Sequence, residues 1–89
     1  MKIYKILQNV NNDYDTYDSA VVCVESEEEA VKYHPGGEYD YKETGKERFE
    51  KCEKDYGTWA KKKYVKIEYI GEADESIEKG VIVASFNAG

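Results

Sequence analysis

The chain has 89 residues, a net charge of -6 and 36% charged residues. This length fits one domain, residues 1–89, with a modest core. The negative charge argues against duplex DNA or an anionic membrane as a partner, although a few local lysines can still bind a small phosphorylated ligand. Two cysteines and one histidine in no metal-binding spacing predict neither a metal site nor a cofactor.

The sequence also predicts where the protein resides and whether it self-associates. Its longest apolar run, Ala20–Val24, is too short to cross a membrane, and Met1-Lys2-Ile3 does not lead into a signal peptide. We therefore expect a cytoplasmic protein. Because a small core gains from further burial, we also expect a homo-oligomer.

The first third of the chain predicts two strands and a loop. Lys2–Val10 fits both strand alternation and helical spacing, and its β-branched and aromatic residues favour a strand. Asn11–Ser19 is rich in turn-forming residues, which predicts a solvated loop or a contact loop that presents Tyr14 and Tyr17. Ala20–Glu25 is the second predicted strand.

Two helices are predicted next. Ser26 and Glu29 form a capping-box pattern, and Pro35-Gly36-Gly37 predicts the end of that helix. His34 has no nucleophile paired with it by any motif, which favours a surface histidine. Residues 38–58 are the most polar segment, a possible variable helical insert. Within it Phe49, Cys52 and Tyr56 share one helical face, so we predict a helix over Gly45–Tyr56.

A basic cluster beside the lone tryptophan is the main ligand-binding candidate. Trp59 is followed by Lys61, Lys62 and Lys63. The indole ring can stack on a base while the ammonium groups meet phosphate. The same pattern is typical of a core tryptophan beside a charged strand edge that resists edge-to-edge pairing.

The last third predicts two more strands. Tyr64–Ile70 alternates in the manner of a half-buried strand, and the apolar run that follows Gly80 predicts a central strand covered on both faces. The expected fold class is α+β. It is a small antiparallel or mixed sheet of about four strands in the order β-β-α-α-β-β, with the helices on one face.

Two blocks of sequence carry a resemblance. One runs from Asp13-Tyr14-Asp15-Thr16-Tyr17 through the capping box to His34-Pro35, and the other ends in Ser85-Phe86-Asn87-Ala88-Gly89. Together they resemble a family of small uncharacterised proteins encoded by phages and prophages of Gram-positive bacteria. The resemblance implies an accessory protein aimed at host defence, and it brings no catalytic residue with it.

The expected function is therefore non-enzymatic binding. The first hypothesis is sequestration of a nucleotide-derived immune signal of the cyclic nucleotide or cyclic ADP-ribose type. The alternative is an acidic inhibitor that binds a host defence protein or mimics nucleic acid. For the first hypothesis, the candidate ligand-binding residues are Tyr14, Tyr17, Trp59, Lys61, Lys62, Lys63, Ser85, Phe86 and Asn87.

Overall fold

The computed structural model describes residues 1–10, 16–39, 55–56 and 59–87. Its main feature is an antiparallel sheet of four strands, accompanied by a two-stranded ribbon, a short helix and a 3₁₀ turn. The elements are β1 (Lys2–Leu7), β2 (Thr16–Val24), α1 (Glu27–Ala30), β3 (Asp55–Tyr56), β4 (Trp59–Ala60), the 3₁₀ turn (Lys62–Tyr64), β5 (Lys66–Glu72) and β6 (Gly80–Asn87). The sheet order is β5-β1-β2-β6, and β3 pairs with β4.

One face of the sheet packs against the core. Tyr4 and Ile6 of β1 lie opposite Val22 and Ala20 of β2, and all four side chains are buried. Strand alternation places them on the same face. This face is covered by buried residues from outside the sheet, namely Ala30, Tyr33 and Trp59.

The opposite face, here called the outer face, is more open. The alternation that buries Tyr4 and Ile6 turns Lys5 and Leu7 toward this side. Leu7 pairs with Ser19 on β2 and with Lys66 on β5. The outer face therefore presents two lysines from neighbouring strands beside the end of the β1–β2 hairpin.

The first predicted helix forms but is short. Ser26 caps it as expected, because its Oγ accepts a hydrogen bond from the Glu29 backbone N–H at 3.3 Å. The helix ends at Ala30, well before Pro35. One turn has little stability of its own, so tertiary contacts decide where the chain goes next. Tyr33 is buried and forms an antiparallel bridge with Tyr39.

The α+β prediction is wrong, because the structure is mainly antiparallel sheet. Asp55 and Tyr56, the predicted end of the second helix, pair instead with Ala60 and Trp59. Pairing with β4 overrides the helical spacing there. The rest of that predicted helix and most of the proposed 38–58 insert lie outside the described residues. Across the residues that the structure describes, no helix has the length and apolar character required to cross a bilayer.

The prediction that the last strand is central is also wrong, because β6 lies at one edge of the four-stranded sheet that the described residues form. Val81 and Ala84 pack against the core. Ile82 and Val83, by contrast, are 47% and 58% exposed. The continuous apolar run therefore does not mark a strand that is covered on both faces.

Candidate functional site

Trp59 does not lie at a surface where a base could stack on it. Its side chain is 0% exposed and belongs to the buried cluster on the covered face of the sheet. Packing of this large ring in the core accounts for the presence of a tryptophan at position 59. A stacking role would require the core to open.

The three lysines that follow Trp59 lie at the start of the connection to β5. Lys61 and Lys62 are half-buried and Lys63 is exposed. The Lys63 ammonium lies 5.2 Å from the centre of the Tyr64 ring, a cation–π contact. The basic cluster is therefore partly engaged with its own turn.

Two of the remaining candidates meet, whereas the others are dispersed. Tyr17 and Phe86 lie on paired positions of β2 and β6, with ring centres 4.8 Å apart. Ser85 is an exposed residue on β6, opposite Ser19. The backbone of Asn87 pairs with Thr16. Tyr14 lies outside the described residues.

His34 packs beside Tyr17 and closes a tight turn. The two rings meet edge to face, with centres 5.5 Å apart. His34 Nδ1 accepts a hydrogen bond from the Gly36 backbone N–H at 2.9 Å, and Gly37 closes the turn at a φ of 107°. An Nδ1 atom that accepts a hydrogen bond carries no proton, so this contact holds the neutral imidazole. Burial lowers the pKa of His34 below 6.5, and the nearby Glu38 carboxylate opposes this shift.

Acidification is therefore expected to destabilise the protein through His34. Because the folded-state pKa is lowered, protonation favours the unfolded chain, and the stabilisation is lost as pH falls below 6.5. Chemical denaturation at about pH 7.5 and about pH 5.5 should show a lower unfolding free energy at the acidic value. His34→Asn retains a turn-closing acceptor without titrating there, and should remove most of this difference. An equal loss in that variant would contradict the assignment.

The described residues line an open pocket elsewhere, on the outer face at the end of the β1–β2 hairpin. It has a volume of about 360 Å³, within the range of small-molecule sites. Since Trp59 packs on the covered face, the sheet itself separates it from this pocket. The lining residues are Lys5, Leu7, Gln8, Asn9, Asp18, Ser19 and Lys66.

Gln8 holds this end of the hairpin in place. It is 5% exposed, and its Nε2 donates a hydrogen bond to the Tyr17 carbonyl at 2.9 Å. Its Oε1 accepts one from the Val10 backbone N–H at 2.8 Å. The Gln8 N–H also donates to the Asp18 carbonyl at 3.3 Å. One buried side chain therefore fastens both sides of the hairpin and supports the pocket wall.

The lining residues give the pocket a mixed character with excess positive charge. Two lysines face one carboxylate, Asp18, together with amide and hydroxyl groups and the apolar side chain of Leu7. Neither lysine forms an ion pair with another residue in the part of the chain that the structure describes. Such a pocket can receive an anion with polar groups attached.

A metal centre is not evident in the described ranges, which contain no group of three or more His, Cys, Asp or Glu side chains arranged to hold an ion. Cys23 is a free thiol buried in the sheet. Comparison of the chain with protein-family models, with curated proteins and with solved structures finds no match. The pocket on the outer face is therefore the feature from which a function can be inferred.

Sequence reasoning missed the lysine pair of this pocket. Lys5 stands alone between apolar residues of the first strand, and Lys66 reads as the last member of the basic cluster. Only the pairing of β1 with β5, which sets Leu7 against Lys66, brings the two together. Strand alternation supplied a partial signal, because it places Lys5 and Leu7 on the side opposite Tyr4 and Ile6.

Proposed function

We propose that the protein is a non-enzymatic binder of a small nucleotide-derived anion, and that the outer-face pocket holds this ligand. The observation that carries the proposal is the convergence of Lys5 and Lys66 on one pocket without an ion-pair partner among the described residues. Ammonium groups with no ion-pair partner among the described residues favour a ligand that brings negative charge. The proposed site therefore lies on the face of the sheet opposite Trp59, and not at Trp59 as the sequence predicted.

The other lining groups suit the uncharged parts of a nucleotide. The Leu7 side chain offers an apolar contact for the face of a base. Asp18 can accept hydrogen bonds from a ribose hydroxyl or a base amino group, and Ser19 can donate or accept. A ligand with a phosphate at one end and a polar ring at the other would use all of these groups.

The biological setting of the proposal comes from the resemblance to small phage and prophage proteins. In that setting the protein would act in the cytoplasm of an infected bacterium and sequester a cyclic nucleotide or a cyclic ADP-ribose isomer that signals infection. Sequestration requires tight binding without turnover.

Thermal unfolding with a ligand panel tests the proposal. The panel contains cyclic dinucleotides, cyclic trinucleotides, cyclic ADP-ribose isomers and inorganic phosphate. A ligand present at about a thousandfold its dissociation constant stabilises the fold by about 4 kcal/mol. For a domain of this size the melting temperature should then rise by more than about 10 °C. We expect this rise for one class of nucleotide, and a smaller one for phosphate alone.

Matched lysine variants locate the site. Lys5→Gln and Lys66→Gln should each reduce the ligand-induced shift, and the double variant should abolish it. Lys63→Gln, from the cluster beside Trp59, should leave the shift unchanged. Loss of the shift in Lys63→Gln with retention in the double variant would place the ligand at the original cluster. The absence of a shift across the whole panel would contradict the proposal.

A second function, binding of a basic host protein, is favoured by the exposed acids at the opposite end of the sheet. Glu25, Glu27 and Glu28 lie on the surface at the start of α1. Glu29 pairs instead with Lys79, with Nζ and Oε1 2.6 Å apart. Charge of one sign speeds encounter with a partner of opposite sign. An interaction of this kind would weaken steeply with added salt.

A further inference from the structure

A β-bulge in β2 places an acid at the outer-face pocket. Tyr17 and Ser19 pair with consecutive residues of β6, so Asp18 is an extra residue on β2. In a regular strand, residues two positions apart lie on the same face. Tyr17, however, packs against the core, whereas Ser19 lines the pocket on the opposite face. The alternation of the strand is therefore reset at Asp18.

The bulge has a chemical consequence, because two consecutive residues of β2 now line the same pocket. Asp18 is exposed, and it lines the pocket together with Ser19. Bulges are common next to active sites, where they redirect a side chain. In a regular strand, only every second residue of β2 would face the pocket. The extra residue therefore adds a carboxylate beside the Ser19 hydroxyl.

The charges of the pocket are separated across the strands. Leu7 pairs with Lys66 on one side and with Ser19 on the other, so β1 lies between Lys66 and the Asp18 carboxylate. Two strand intervals, roughly 10 Å, separate the backbones of β5 and β2. Lys5 lies on β1, two positions before Leu7. The pocket thus has a positive side and a side with a carboxylate that, when ionised, only accepts hydrogen bonds.

This separation determines how a nucleotide would be oriented. Attraction to Lys5 and Lys66, together with repulsion from Asp18, directs a phosphate toward the lysines. The ribose is bonded to the phosphate and therefore stays near them. The edge of the base is the part of a nucleotide farthest from its phosphate, and it extends toward Asp18. The apolar side chain of Leu7 lies between the two charged sides, where it can contact the face of the base.

We propose that Asp18 makes the pocket selective for guanine over adenine, an inference that rests on the proposed function. Guanine presents two adjacent donors, N1–H and the N2 amino group, which match the two oxygens of one carboxylate. Adenine presents its amino group beside the unprotonated N1 atom, which is an acceptor and repels a carboxylate oxygen. The preferred ligands are therefore cyclic nucleotides that contain guanine. The cyclic ADP-ribose isomers, whose base is adenine, are disfavoured.

Two cyclic dinucleotides provide matched probes. Cyclic di-GMP and cyclic di-AMP share their phosphates and sugars and differ only in the base. Isothermal titration calorimetry should show that the wild type binds cyclic di-GMP about 10- to 100-fold more tightly, which is typical of one bidentate contact to a base. Cyclic di-IMP lacks the N2 amino group and should bind with intermediate affinity. This comparison requires no variant of the protein.

Asp18→Asn tests whether this residue reads the base. The variant keeps one acceptor oxygen and replaces the other with an amino group, which can donate to N1 of adenine. The preference for cyclic di-GMP should be lost, and cyclic di-AMP should bind at least as tightly as it does to the wild type. Glu68→Gln is the matched control, because it removes a negative charge at an exposed position that pairs with Lys5. It should retain the preference. Circular dichroism verifies that both variants fold.

Two results would overturn this inference while leaving the proposed function intact. One is equal affinity of the wild type for the two probes, with binding abolished in the double variant of Lys5 and Lys66. The other is a preference for guanine that persists in Asp18→Asn, which would assign the discrimination to a different group. Failure of every nucleotide to bind would contradict both proposals.

Discussion

Replacement of Trp59 with alanine is expected to remove a large part of the free energy that stabilises the fold. The side chain is fully buried among the residues that cover the sheet, including Tyr4, Ile6 and Val22. Truncation of a buried tryptophan to alanine costs about 3–5 kcal/mol, from lost transfer free energy and from the cavity left behind. Small domains are stable by about 5–15 kcal/mol in total. A substantial drop in the urea midpoint should follow.

The controls separate packing from ligand contact. Trp59→Phe keeps an aromatic ring in the core and should be much less destabilised than Trp59→Ala, and it should still bind a ligand of the outer-face pocket. Trp59 is the lone tryptophan, so its fluorescence should be blue-shifted in the folded wild type and should shift to the red on unfolding. A Trp59→Ala variant within about 1 kcal/mol of wild-type stability would contradict its place in the core.

The second large effect is expected at Gln8. Its side chain bonds the Tyr17 carbonyl and the Val10 backbone N–H from an almost fully buried position. Gln8→Ala removes both of these hydrogen bonds and leaves a cavity where the side chain was. We therefore expect a loss of about 2 kcal/mol in unfolding free energy. Because the same hairpin end forms the pocket wall, ligand affinity should fall as well. Denaturant titration with and without ligand measures both effects.

Gln8→Glu is the matched control for that prediction. A carboxylate can still accept the hydrogen bond from the Val10 N–H, but it cannot donate one to the Tyr17 carbonyl unless it is protonated. The loss of stability in Gln8→Glu, relative to the wild type, should therefore diminish as the pH falls toward the pKa of the carboxyl group. If Gln8→Ala were as stable as the wild type, the side chain would not hold the hairpin together.

Much of the sheet could be predicted from local pattern, but the boundaries could not. The first strand stops at Leu7 instead of Val10, because the Gln8 side chain takes the Val10 N–H into a turn. The second strand begins at Thr16 instead of Ala20. The turn-forming residues of this segment gave no indication of the longer strand. Its pairing with β6 is irregular at Asp18, and residues on both sides of Asp18 pair with β6. Side-chain hydrogen bonds and bulges of this kind leave no periodic signal.

The first predicted helix is shorter than expected and the second does not extend to Tyr56, because local spacing competes with pairing partners that the sequence does not reveal. The capping pattern at Ser26 correctly predicts where α1 begins, yet the burial of Tyr33 and its bridge to Tyr39 direct the chain away from a longer helix. Tyr56 fits a helical stripe but pairs with Trp59. In a small domain, such tertiary contacts outweigh helix propensity.

The candidate ligand-binding residues were even harder to predict from local sequence pattern than the helices. Trp59 and its lysines form a plausible ligand motif when read along the chain, but the ring is a core residue. The lysines that do converge, Lys5 and Lys66, are far apart in sequence and lie on neighbouring strands. Antiparallel pairing of the first strand with the fifth is a property of topology. No motif search along the chain can detect it.

The most direct test of the central claim is a two-dimensional ¹H–¹⁵N NMR titration of the labelled protein with the nucleotide that gives the largest thermal shift. We predict that the perturbed backbone amides will cluster at residues 5–9, 18–19 and 66, around the outer-face pocket, and that the amides of residues 59–63 will change little. Perturbation centred on residues 59–63, or no saturable change at any amide, would contradict the account.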